Sequence, residues 1–352
     1  MMDFSSSLYL GMRHPITALR PWRNLTLGKP AALALPPGWA ALAQELAVLQ
    51  GCEAATLLPS TLHLFWDLFG MLAEHSAAER YVTLVDGSAY QVARWGAQRA
   101  VVCGMPMALF ARHDARAAAA LALHWRRLGR KPVLLADGYC PGAPSAPPLA
   151  GYLDIVAEHE GLLVLDDTQV LGVMGEEGGG SLRGNGLWQR HALAGQHVLL
   201  GASLAKGFGA PLAALSGSRE WVARFDARSR TRRHCSPPSV AAIAAGRRAL
   251  QLNRRHGEYL RCQLARRVAQ FRDGARAFGL ASGGGRFPVQ TLLLPRGVHA
   301  VAVCRSLAAV QVLAVPQSLG GRQAVSFVLR ADHSEQEIAL ALDTLRRCLD
   351  RF

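Results

Sequence analysis

Short, wholly apolar runs alternate with helix-length patterns through the middle of the chain, and this alternation limits the possible folds more than any other feature. Tyr81 to Val85, Val133 to Ala136, Leu162 to Leu165 and His197 to Leu200 read as strands. Ala115 to Leu128 and Leu149 to His159 read as helices between them, after two earlier helices at Trp39 to Gln50 and Thr61 to Glu74. A strand without polar alternation has both faces buried. The pattern therefore predicts an α/β fold: a mostly parallel central sheet with helices on both faces. After Pro237-Pro238 the texture changes. Ser239 to Arg272 is helical and rich in arginine, Val289 to Leu294 and Ala324 to Leu329 read as strands, and Glu335 to Leu349 is an amphipathic helix. The expected division is an N-terminal arm (1–38), a large domain (39–238) and a smaller α+β domain (239–352).

Half of the 352 residues are hydrophobic and 18% are charged, which suits a buried core and excludes a disordered chain. The longest apolar stretch, Leu57 to Ala73, is broken by His63 and Asp67, so no membrane insertion is expected. The opening residues carry no basic segment followed by an apolar one, so the chain reads as cytoplasmic. Seven scattered cysteines, with no CxxC pair, argue against a metal centre or a disulfide framework and read as buried free thiols. Gly178 to Gly180 and Gly283 to Gly285 lack the strand-then-helix setting of a dinucleotide site.

The formal net charge is +14, carried almost wholly by scattered arginines. Scatter argues against a nucleic-acid surface and for steering of an anionic partner, such as an acidic carrier or a phosphorylated cofactor. The three lysines are Lys29, Lys131 and Lys206. In a chain that prefers arginine, a retained lysine suggests an amine that must lose its proton. Lys206 has the most suggestive setting, in Gly201-Ala-Ser-Leu-Ala-Lys206-Gly-Phe-Gly just past an apolar run. Asp166 ends the preceding one, where open α/β sheets place ligands. A desolvated lysine can do imine chemistry, an aspartate can hold a protonated ring nitrogen, and Ser203 can meet a phosphate. On these residues alone, a solvated aspartate and a surface lysine remain an equal reading.

Longer motifs tip the balance. Asp3-Phe-Ser-Ser-Ser-Leu-Tyr-Leu-Gly11, Glu45 to Ser60, Leu163 to Gly175, Ala202 to Gly209, Pro237-Pro238 and Phe327 to Ile338 occur in one order along nearly the whole chain. In that order they resemble the α-oxoamine synthase family, fold-type-I pyridoxal-phosphate enzymes. The resemblance implies pyridoxal 5'-phosphate as cofactor and a homodimer with the active site at its interface. It implies that Lys206 bonds the cofactor and moves the substrate proton, and that Asp166 pairs with the ring nitrogen. It also implies that Ser203, Ser60 and Thr61 hold the phosphate, with Arg233 and His234 standing near the family's partner-subunit phosphate threonine. Ser7, in the opening motif, falls among the substrate-binding positions.

The departures concentrate on the substrate side. Tyr90 stands where the family has a ring-stacking histidine, and Gln169 where a second histidine contacts the cofactor. Asp137-Gly-Tyr-Cys-Pro-Gly replaces the family's EGVFSMDG. The strand that carries the family's carboxylate-binding arginine reads Ala324 to Leu329, with Arg322 and Arg330 flanking it as substitutes. The resemblance implies condensation of an amino acid with an acyl thioester, on coenzyme A or a carrier protein, with decarboxylation to an α-amino ketone, in specialised metabolism. The departures keep two other readings open. One is a different pyridoxal-phosphate reaction, such as transamination, decarboxylation or other C–C bond formation. The other is a non-catalytic binding protein.

Overall fold

The computed structural model describes residues 1–74, 80–142, 145–184, 186–187 and 194–350. After β1 (Met2–Asp3), seven strands build the main sheet: β2 (Ala54–Leu58), β3 (Tyr81–Asp86), β4 (Met107–Phe110), β5 (Lys131–Asp137), β6 (Leu162–Asp166), β7 (Val198–Ser203) and β8 (Ala213–Gly217). Their order is β2-β8-β7-β6-β5-β3-β4, and β8 runs antiparallel to both its neighbours while the other pairings are parallel. The expected mostly parallel sheet is therefore present.

Successive residues of the central strands enter different cores, which is why these runs carry no polar alternation. Val133 and Leu135 of β5 join Val164 and Leu199 in a core with Leu64, Phe65, Leu68 and Phe69. Leu134 and Ala136 join Leu163, Leu165 and Leu200 in another, with Tyr152 and Leu153. On the first face the helix Thr61–Leu72 packs on the helix Gln91–Val102. Gly96 permits the approach, because a Cβ there would lie 2.5 Å from the carbonyl oxygen of Phe65. Gly96→Ala is expected to destabilise the protein by about 1–3 kcal/mol, since two helix backbones must part. An unchanged midpoint in urea unfolding would contradict that packing argument.

The sequence reading has no strand at β2, β4 or β8 and no helix at Gln91–Val102. Ala54-Ala-Thr-Leu-Leu58 and Ala213-Ala-Leu-Ser-Gly217 are poor in β-branched residues, and they are strands because their neighbours bury them. The long helix runs Val240–Ala277, past the expected end at Arg272. Of the Pro-rich loop at 142–148, residues 143 and 144 lie outside the described residues.

The chain forms two compact units. One contains the main sheet and holds Arg13–Cys140 and Ser145–Arg255. The other takes the first twelve residues and the chain from His256 onward. In the second unit β9 (Ser282–Gly283), β10 (Val289–Leu293), β12 (Val315–Leu319) and β13 (Arg322–Val328) form an antiparallel sheet in the order β12-β13-β10-β9. There β1 pairs in parallel with β11 (Val312–Leu313), and Phe4, Phe271 and Phe327 are fully buried. The helix Glu335–Leu349 opens on a capping box between Ser334 and Glu337. All seven cysteines are free, but the expectation that they are buried fails: Cys348 is buried, whereas Cys103 and Cys262 are exposed. Among the described residues no helix is long and apolar enough to cross a membrane.

Candidate active site

Adjacent parallel strands end in acid. Asp137 closes β5 and Asp166 closes β6, paired directly in the sheet register, and Asp86 closes β3. All three carboxylates are buried, but they are satisfied differently. Asp86 accepts from the amide (2.7 Å) and hydroxyl (2.6 Å) of Ser88, the amide of His113 (3.1 Å) and the hydroxyl of Tyr152 (2.5 Å). It ties loops together and has no capacity to spare. Asp137 accepts the Tyr90 amide at 2.9 Å, at the start of the helix Gln91–Val102. Asp166 Oδ1 accepts the Thr168 amide at 3.0 Å, and Thr168 Oγ1 accepts the Ser203 amide at 2.9 Å. Thr168, absent from the sequence reading, thus links the acid to the end of β7.

Lys206 follows β7 in a tight turn. Gly207 lets this turn lie on the loop after Asp166, because a Cβ there would sit 2.3 Å from the Leu171 carbonyl oxygen. Among the described residues the Lys206 amine makes neither a hydrogen bond nor an ion pair. Burial lowers its pKa, opposed by the charges of Asp166 and then Asp137. Burial raises Asp166, with the Thr168 hydrogen bonds and the Lys206 charge working against it. Asp137 is pushed up to about 8, first by burial and then by the Asp166 charge. The next acid, Asp167, rises to about 6 by burial, and it accepts the Ser181 amide at 3.0 Å. The centre is therefore a partly desolvated amine facing two carboxyls that resist ionising together.

Hydroxyls and a helix start stand in the same unit. The Ser203 hydroxyl accepts the Ala205 amide (3.2 Å), and among the described residues its own proton has no acceptor. Ser60 caps the helix that Thr61 begins, and its hydroxyl pairs with His63 Nδ1 at 2.9 Å. The helix Arg230–His234 is held by Asp67, which is 2% exposed. Its carboxylate accepts the Ser229 hydroxyl (2.5 Å) and both the amide (3.0 Å) and hydroxyl (2.6 Å) of Thr231. Arg232 turns inward to Asp226 (3.2 Å) and Thr56, while Arg233 and His234 are exposed. Tyr90 is 59% exposed in the single chain, and Gln169 is half-buried.

The substrate-side positions belong to the other unit. There Arg330 is buried and donates to Asp332 (2.9 Å) and to the Asp3 carbonyl (2.7 Å). Its guanidinium fastens the opening strand to the chain after β13. Arg322 is exposed at the start of β13, and Ser7 is half-buried. The sequence reading missed Asp137 and Thr168. Asp137 was visible as a departure from a motif after an apolar strand, and its pairing with Asp166 is a property of the register.

The whole fold, with its single antiparallel strand in the main sheet, recurs in solved structures. No family model matches the chain. A protein of Thioalkalivibrio sulfidiphilus described as 8-amino-7-oxononanoate synthase is 29% identical over 221 residues, 62% of this chain and 55% of that protein. The chain thus spans a little over half the length of the curated relatives it matches. The crystal structure of 8-amino-7-oxononanoate synthase from Francisella tularensis has a TM-score of 0.75 at 14% identity, covering 99% of this chain and 98% of that one. Serine palmitoyltransferase from S. paucimobilis, solved with bound pyridoxal phosphate and myriocin, has a TM-score of 0.83 at 14% identity, covering 99% and 87%. The chain is thus similar in part of its sequence to 8-amino-7-oxononanoate synthases, and it shares its fold with the solved structures of that enzyme and of serine palmitoyltransferase.

Proposed function

We propose that the chain is a pyridoxal-phosphate-dependent acyltransferase, which condenses an amino acid with an acyl thioester and releases the free thiol and carbon dioxide to give an α-amino ketone. The observation that carries this reading is the partly desolvated Lys206 amine, unpaired among the described residues and close enough to the buried Asp166 for the two charges to act on each other. The residues fit the cofactor: Lys206 to bond its aldehyde carbon, Asp166 to hold its ring nitrogen protonated, and Ser203 to donate a hydroxyl to its phosphate. The Ser60-capped helix start adds free backbone amides for the same phosphate.

Bound there, the cofactor makes the amino acid's α-carbon acidic by drawing its electrons into the ring. Lys206 takes the α-proton, because its lowered pKa leaves more free amine at neutral pH than an ordinary lysine has. Tyr90 and Gln169, in place of two family histidines, offer a ring face and an amide but no imidazole. The substrate orientation is therefore set without an imidazole at either position. The charge of +14 supports an anionic acyl donor, on coenzyme A or an acidic carrier protein.

Exposed apolar side chains support assembly as a homodimer. Leu62 and Trp66 on one helix and Trp95 and Val102 on its neighbour are exposed in the single chain. Sedimentation should give twice the mass of the chain, and a fully active monomer would count against it.

The test is the visible spectrum of the purified, cofactor-loaded protein, titrated with amino acids and then with an acyl thioester. One amino acid should shift the spectrum without being consumed, and carbon dioxide should appear when the thioester is added. Accumulation of pyridoxamine phosphate with an amino acid alone would instead mean transamination.

A further inference from the structure

A cleft of about 470 Å³ opens elsewhere in the main-sheet unit, between the segment Ala18–Trp22 and the first turns of the helix Val240–Ala277. Arg20, Arg247, Arg248 and Arg254 line it, with Glu45 as the acid among them. Arg254 pairs with Glu45 at 2.5 Å. Among the described residues Arg20, Arg247 and Arg248 have no ion pair or hydrogen bond, and Arg248 Nε is buried without a partner. A buried guanidinium donor left unmatched is costly, so an acceptor entering the cleft from outside would relieve that cost. Nearby, His14 donates through Nε2 to the Phe208 carbonyl (2.8 Å), and burial and then Arg248 hold its pKa down.

Three unmatched guanidiniums around one concavity select an acceptor that is multiply charged and small. Guanidinium forks match phosphate oxygens two at a time, and several in one cleft favour adjacent phosphates over one carboxylate. Leu19, Pro21 and Trp22 give the cleft an apolar side, and Gln251 adds an amide. The volume is that of a small-molecule site. We propose that this cleft binds a small molecule bearing two adjacent phosphate groups, through Arg20, Arg247 and Arg248, with its organic part against Trp22.

Calorimetric titration of the cofactor-loaded full chain with inorganic pyrophosphate tests this, because the loaded cofactor already fills its own phosphate site. Saturable binding is expected, weakening as salt rises. Arg247→Gln and Arg248→Gln should each weaken it at least about tenfold, with the visible spectrum unchanged and no loss of thermal midpoint. Arg20→Gln, in an exposed segment, gives a variant with little risk to folding. A nucleoside diphosphate should bind more tightly than pyrophosphate, and Trp22→Ala should abolish that difference. Absence of saturable binding, or equal binding by wild type and all three arginine variants, would overturn the proposal. So would the second copy of a dimer covering the cleft, shown by protection of these arginines from a guanidine-modifying reagent only above the dimerisation concentration.

Discussion

Lys206→Ala removes the visible absorbance of the bound cofactor and lowers turnover by about 10²–10⁴-fold or more, while the cofactor-free protein melts at its usual temperature. The two halves of this result have separate causes. Lys206 supplies the only amine proposed to bond the cofactor, and its loss also removes the base that takes the α-proton. Yet the amine makes no hydrogen bond or ion pair among the described residues, so the fold loses no contact with it. Burial of the charged amine works against folding, as its lowered pKa indicates, so alanine at this position costs little stability. Absorbance spectra and thermal melts on the same preparations check both halves. A variant that keeps the covalent band would place the cofactor linkage elsewhere. One that loses the band through unfolding would show that the lysine turn holds the sheet end together.

The sequence revealed the parts of this site that depend on strands buried on both faces. Leu162 to Asp166 and the run before Gly201 are apolar throughout because each residue enters one of two cores, and an acid or a lysine at the end of such a run stands out. The strands β2 and β8 did not stand out, because small residues become strands there only through the burial their neighbours impose. Asp137 illustrates a second limit. It too follows an apolar run, Val133 to Ala136, but its importance arises from a register that sets it opposite Asp166, which no local pattern shows. Arg232 shows a third. Of the consecutive basic residues Arg232, Arg233 and His234, the inward one is chosen by Asp226 and by Thr56, which lies far away in the chain. Asp67 reads as an interruption of an apolar helix. In the fold it is the acceptor that fixes Ser229 and Thr231.

Asp166→Asn and Asp137→Asn separate the two paired carboxyls. Asp166→Asn should lower turnover by about 10²-fold or more, because an amide cannot hold the cofactor's ring nitrogen in its protonated form. Asp137→Asn should leave the Tyr90 amide with an acceptor and act mainly on stability. The sign follows from linkage. Asp137 has an ordinary value of 3.8 and is pushed up to about 8 in the folded chain by burial and the Asp166 charge. Between those values the folded chain keeps a proton that the unfolded chain has released. Folding stability therefore falls as pH rises through that window, and the loss is complete above it. A tenfold change in proton affinity corresponds to about 1.4 kcal/mol, so even part of this displacement is measurable. Urea unfolding of the cofactor-free protein should find Asp137→Asn more stable than wild type, with a gain that grows from about pH 4 and levels off near pH 8. A gain that does not change with pH would mean that Asp137 is not the group that carries the extra proton. A loss of activity matching that of Asp166→Asn would mean that the two carboxyls act as one unit on the cofactor, with neither of them its separate ring partner.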